Sequence, residues 1–257
     1  MPSLQHLLRY TFLGLLSFQV ATAAPASAMS TRVVSRPFAA TAPMISSTLP
    51  LVAGSYHNIL QNVNPANPRP GASSLPAPAG NLTLRHITVG HGIQNYTCAS
   101  ANSTPVAIGA VATLYDITAL ALLDPNTATS IPNIAAYLPL TSALIPSMPL
   151  TIHSLGSFPI LGAHYFLANG TPTFDLFTVR EILFSKKVAD IKAPSNALTG
   201  PAETGAVDWL ALTSIEGSVG LTEVFRVATA GGNPPASCAG QQGVVSVPYS
   251  AAYHFYG

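Results

Sequence analysis

Apolar and polar positions alternate most cleanly at the C-terminal end of the chain. Val245, Val247, Tyr249, Ala251, Tyr253 and Phe255 alternate with Ser246, Pro248, Ser250, Ala252, His254 and Tyr256, the period of two expected of a strand with one face on a core and one in water. Pro248 has no N–H to give to a ladder, so this strand is predicted to lie at an edge or to carry a bulge there. The same period puts Gln94, Tyr96 and Cys98 on one face and Asn95 and Thr97 on the other. Further strands are predicted at 84–90, 107–116, 160–168, 171–178, 182–192, 207–214 and 221–229, separated by turn residues such as Gly217-Ser218-Val219-Gly220. Helical character is confined to Asn133 to Leu144, where Pro139 interrupts it. Many short strands punctuated by glycine and proline predict an all-β fold: a single antiparallel β-sandwich or barrel-like domain with one short helical segment.

Asn169-Gly170 predicts a hairpin with a two-residue type I′ turn. That turn would set Tyr165 opposite Phe174 and His164 opposite Asp175. A histidine beside a carboxylate is the orienting half of many hydrolytic and acid–base sites, so His164 and Asp175 are the catalytic candidates. No G-x-S-x-G turn supplies a nucleophile to complete them.

Two segments precede the strands. Residues 1–23 combine Arg9, a short apolar run from Tyr10 to Ala21, and Ala21-Thr22-Ala23, the layout of a cleavable signal peptide. Residues 24–80 are rich in Pro, Ala and Ser and read as a flexible arm, within which Leu49 to Leu60 could dock on the domain. The β domain then spans 81–257. Cys98 and Cys238 are the chain's two cysteines. In a secreted protein an even pair reads as one disulfide, here clasping the first and last strands. Asn81, Asn95, Asn102 and Asn169 each open an N-x-S/T sequon and are candidate glycan acceptors. The expected location is therefore extracellular or in the cell wall.

Composition narrows the functions. Only 7% of residues are charged while 48% are hydrophobic, and the net charge is +1. No basic cluster extends beyond Lys186-Lys187, which argues against nucleic acid. The apolar window from Pro105 to Leu123 contains Asp116 and reads as a buried strand and turn, leaving no membrane span in the mature form. No H-x-x-x-H, H-E-x-x-H or C-x-x-C is present, so no metal is expected. Gly90-His91-Gly92 begins like a dinucleotide loop but lacks its third glycine and leads into a strand, so no cofactor is expected. Asp208-Trp209 and Arg226 could line a polar pocket. Tyr96, Trp209 and Arg226 are the ligand-binding candidates.

Six stretches in order carry a resemblance: Gly92-Ile93-Gln94-Asn95-Tyr96-Thr97-Cys98; Ala110-Val111-Ala112-Thr113-Leu114-Tyr115-Asp116; His164-Tyr165-Phe166 with Gly170-Thr171-Pro172; Val207-Asp208-Trp209-Leu210; Arg226-Val227-Ala228-Thr229-Ala230-Gly231-Gly232; and Val247-Pro248-Tyr249-Ser250. Over residues 81–257 the chain resembles a family of fungal secreted proteins of unknown function, with bacterial relatives, whose members often bear the label malate dehydrogenase. The resemblance implies secretion and brings no catalytic residues with it. The label would require a parallel βαβ fold and a dinucleotide loop, neither of which these residues predict. The expectation is a secreted or cell-wall-associated β protein that binds a glycan, an apolar small molecule or a surface. The alternative is a secreted enzyme, an oxidoreductase as the label implies or a hydrolase using His164 and Asp175.

Overall fold

The computed structural model describes residues 74–140 and 149–257. Its strands are β1 (Leu84–Cys98), β2 (Val106–Asp116), β3 (Leu150–Ile152), β4 (Gly156–Phe158), β5 (Ile160–Phe166), β6 (Pro172–Leu176), β7 (Glu181–Ile191), β8 (Trp209–Ser214), β9 (Glu223–Gly231) and β10 (Gly243–Tyr256). Eight of them close into a barrel in the order β1-β10-β9-β8-β7-β6-β5-β2, while β3 and β4 pair separately. Each barrel strand runs antiparallel to its neighbours. The path is a meander interrupted once, between β2 and β5, by helices α1 (Thr118–Leu123) and α2 (Pro125–Ala135) and the β3–β4 hairpin. Of the two architectures predicted, the barrel is the one formed. Closure leaves no open edge.

Interior positions follow the period of two. Ala112, Leu114, Phe174, Leu176, Leu183, Leu212, Val224, Tyr249, Tyr253 and Phe255 form the inner core. Gly90 and Gly92 face inward from β1. A Cβ on Gly90 would lie 2.5 Å from the Tyr253 ring, and one on Gly92 would collide with the β2 backbone at Val111 and Ala112. Glycine lets the wall bend tightly there. This is a packing role, and no helix follows the motif.

The outer face is covered as well. Ile87, Val89 and Tyr115 pack under Ala121, Ala128 and Ile131 of the helices. Trp209, Phe225, Ala252 and Tyr256 form a third cluster with Leu75, a residue of the stretch read as arm. This cover corrects the half-buried reading of β10. From Tyr249 to Tyr256 both of its faces are buried. Nor is β10 an edge, since β1 and β9 flank it. Its pairing with β9 ends at Tyr249–Gly231, one residue before Pro248, so the proline sits where β1 is the only ladder partner.

The helical prediction is shifted. Among the described residues the helices lie at 118–135 and number two, with Asp124 accepting from Thr127 N at 3.0 Å and Pro125 opening α2. Asp-Pro is a strong start signal. Of the predicted Asn133–Leu144 segment only 133–135 is helical, and 141–144 lies outside the described residues. Residues 1–73, with the leader, most of the arm and the Leu49 to Leu60 patch, also lie outside them.

Candidate functional site

The two ends of the barrel differ. At one end Leu176, Leu183, Leu221, Val224 and Phe255 fill the interior. Glu181 closes that end, accepting from Arg85 at 2.7 Å and pairing with His86 at 2.9 Å. At the other end the walls flank an open cavity of about 490 Å³. Ile108, Phe166, Val207 and Leu210 supply its apolar lining, and Gln94, Tyr96, Asp208, Arg226 and Asn233 its polar lining.

Three irregularities shape this mouth. Register shifts fall at Asn95/Tyr96, Lys187/Ala189 and Ser250/Ala252, and bulges at a barrel rim splay strands and re-aim side chains. The third leaves Ala228 at φ +47°, a left-handed conformation that costs a non-glycine residue about 1–2 kcal/mol. The rim is also pinned. Cys98, at the end of β1, is bonded to Cys238 in the β9–β10 loop, with Cα atoms 5.6 Å apart. Cys238 N donates to Ser103 O at 2.9 Å. In the same loop Gly232 O accepts from the Tyr96 hydroxyl at 2.7 Å, and Asn233 Nδ2 donates to Ala206 O at 2.9 Å.

Charges in the cavity are unevenly matched. Asp190 is taken by Lys187 at 3.0 Å and Asp208 by Lys192 at 2.9 Å. Arg226 donates from Nε and Nη2 to the Asp208 carbonyl at 3.2 and 2.9 Å. Among the described residues no carboxylate forms an ion pair with it. Behind it the Tyr249 and Tyr253 hydroxyls lie 2.9 Å apart. Burial raises both phenols, and the neighbouring guanidinium draws Tyr253 partly back. Burial likewise pushes Tyr96 up to about 12, so these rings are neutral donors and acceptors. Gln94 is 8% exposed, and its Nε2 faces the Tyr249 hydroxyl without forming a hydrogen bond of good geometry.

The structure separates the catalytic candidates. The β5–β6 hairpin pairs His164 with Phe174 and Ala163 with Asp175. Gly170 N donates to Leu167 O and Leu167 N to Thr171 O, which makes Ala168-Asn169-Gly170 a three-residue loop with Gly170 at φ +83°. Both this loop and the predicted two-residue turn place the glycine at positive φ. One residue of slip turns each side chain to the opposite face. His164 therefore points into the barrel, stacked on Phe174 at 4.1 Å between centroids, with Nδ1 2.8 Å from Thr173 O. A carbonyl only accepts, so Nδ1 carries the proton, and burial holds the ring down to about 4 and hence neutral. Asp175 lies on the outer face.

Among the ligand candidates, Tyr96 and Arg226 line the cavity. Trp209 does not. Its neighbour Leu210 points inward and Trp209 packs in the outer cluster, because the covered wall makes both faces of β8 apolar. Lys187 and Asp190 flank the mouth of the barrel. Asn81, Asn102 and Asn169 are exposed, whereas Asn95 is partly buried and accepts from Ser246 Oγ at 2.7 Å. Gln94 and Asn233 were not singled out. The signal for Gln94 was present: a polar residue in register with Tyr96 and Cys98 on an inward face.

Among the described residues no group of three or more His, Cys, Asp or Glu could hold a metal ion, and no helix is long and apolar enough to cross a membrane. A family model described as Protein of unknown function (DUF3455) matches residues 78–257. No curated protein and no solved structure matches the chain.

Proposed function

Because the chain belongs to the DUF3455 family, whose function is unknown, its activity has to be argued from the barrel, and we propose that it is a secreted binding protein that holds a small organic ligand in the barrel mouth. The observation that carries this reading is the cavity of about 490 Å³ in which apolar side chains face convergent polar and charged groups. Small-ligand sites have volumes of roughly 300–1,000 Å³, and closed eight-stranded barrels are wide enough for one such ligand. The disulfide and the exposed sequons support secretion. Binding without chemistry is preferred over hydrolysis because His164 and Asp175 occupy opposite faces of the wall.

The test compares the oxidised full chain with Ala107→Trp. Ala107 is the β2 partner of Tyr96 and lines the cavity, so the indole would fill the mouth. Thermal unfolding is followed across a panel of oligosaccharides, aromatic acids and alcohols, and medium-chain lipids. At least one class is expected to raise the melting temperature of the wild type and leave Ala107→Trp unmoved, the unliganded proteins melting alike. Equal shifts in both proteins, or no shift with any class, would overturn the reading.

A further inference from the structure

Resting on that reading, we infer that the ligand is an organic acid, bound with its carboxylate on Arg226 and with an oxygen accepting from Gln94. Two independent features point there. The first is charge. Three cations and two carboxylates line the cavity, and both carboxylates are engaged by lysines at its rim. Arg226, set deeper beside Tyr253, is bonded to a backbone carbonyl and neighboured by phenols and the neutral His164 ring, with no carboxylate among the described residues in an ion pair with it. A partly buried guanidinium with no counterion is unfavourable unless an anion completes it, and its planar fork suits a carboxylate.

The second is the amide of Gln94. A buried N–H group without a well-placed acceptor keeps much of its desolvation cost, and such groups are rare in native interiors. This one lines the same cavity as Arg226. The tyrosine hydroxyl pair joins the two, since Gln94 reaches towards the Tyr249 hydroxyl and Arg226 towards that of Tyr253, and each has further N–H groups to offer a ligand. Unused donors and one unused positive charge define what the ligand must bring: acceptor oxygens and a negative charge. The apolar lining of Ile108, Phe166, Val207 and Leu210 takes the rest of the molecule. A straight-chain acid and an aromatic acid share this chemistry.

The experiment uses matched sets on the oxidised full chain: octanoate, octanamide and octanol, then 3-phenylpropanoate with its amide and alcohol. Affinities are measured by calorimetry or ligand-observed NMR at pH 7.5. At least one acid is expected to bind about tenfold or more tightly than its amide and alcohol, and which acid does so identifies the source. Gln94→Glu, isosteric and negatively charged, is expected to lose acid binding by at least about tenfold. Arg226→Lys, keeping the charge without the fork, is expected to lose part of it. Near-UV circular dichroism identifies variants that retain the fold. Equal binding of acid, amide and alcohol, all abolished by Ala107→Trp, would overturn the acid and leave the binding reading standing. Acid binding unchanged in folded Gln94→Glu would overturn this site. No binding by any of the six compounds would overturn the acid inference, and the wider panel would then decide the binding reading separately.

Discussion

One barrel carries two ends built on opposite rules. At the closed end the inward positions of β2, β6, β7, β9 and β10 are leucine, valine and phenylalanine, and the one buried carboxylate, Glu181, has two partners. At the mouth the inward positions of the same sheet become Gln94, Tyr96 and Arg226, three of the barrel's five register shifts fall in the wall, and a buried amide lacks a hydrogen bond of good geometry. Thr88 Oγ1 and His254 Nε2 in the closed half also lack partners, but Gln94 is the one of the three that lines a cavity. Natural sites commonly give up stability in this way. The mouth is held by a covalent bond where the closed end is held by packing.

The largest expected effect tests that last contrast. Cys98→Ala with Cys238→Ala removes a crosslink between residues 140 apart in sequence. In the chain-entropy model this costs up to ~5 kcal/mol, an upper value because residual denatured structure reduces it. Urea unfolding should show the loss, and ligand affinity should fall with it as the Gly232–Asn233 rim is freed. A loss below about 1 kcal/mol, with affinity unchanged, would break the claim that the disulfide organises the mouth.

Next is Phe255→Ala at the closed end. Phe255 is fully buried and packs edge-on to Phe174 at 5.5 Å. Deleting a buried ring costs about 3–5 kcal/mol, measured as a lower urea midpoint. If the ends are as distinct as they look, a ligand bound at the mouth restores little of that loss beyond its ordinary mass-action stabilisation.

Acid probes the wall between the ends. Burial holds His164, inside the barrel, and His254, in the outer layer, down to about 4, whereas histidines of the unfolded chain titrate near 6.5. Between those values the unfolded chain takes up protons that the native wall refuses. Stability is therefore complete above about pH 6.5 and declines by up to about 1.4 kcal/mol per group per pH unit down to about pH 4. Urea midpoints at pH 7.5, 6 and 5 should fall in sequence, and His254→Met should flatten the slope. The exposed Lys–Asp pairs of the mouth contribute little. A curve flat to pH 5, or one that follows salt, would move the acid sensitivity from the wall to the mouth.

What was legible in the chain follows the same division. Period-two alternation places the barrel strands from β1 to β10, since a strand's inward residues must be apolar wherever the core is dry. It fails where both faces are covered. β8 reads Trp209, Leu210, Ala211, Leu212, and nothing in that run says that Trp209 points out and Leu210 in. The catalytic pair failed on one residue of loop length, because Asn-Gly serves a two-residue and a three-residue hairpin equally well. The helices were missed for another reason. Thr118 to Leu123 is apolar enough to pass for the end of a strand, and the Asp124-Pro125 start signal was not weighed. Tyr96 and Arg226 could be picked out because a phenol and a guanidinium on strand positions need a reason. Gln94 needed one equally, and only its poorly satisfied amide in the folded barrel makes that plain.

The smallest expected effect carries the sharpest contrast, because its sign is opposite to the others. Gln94→Met replaces a buried amide with an apolar side chain of similar length. The Nε2 group has no hydrogen bond of good geometry to lose, and removing a poorly satisfied buried donor removes its desolvation cost. The unliganded variant is expected to be more stable than the wild type by a few tenths to ~1 kcal/mol, read from the urea midpoint. Binding of the acid should weaken at the same time, so that the liganded wild type recovers the difference. Glu181 at the closed end is the opposite case, since it is fully engaged and Glu181→Met would strand Arg85 and His86. If Gln94→Met instead destabilises the protein as a core deletion does, the amide is structural, and the mouth follows the same rule as the closed end.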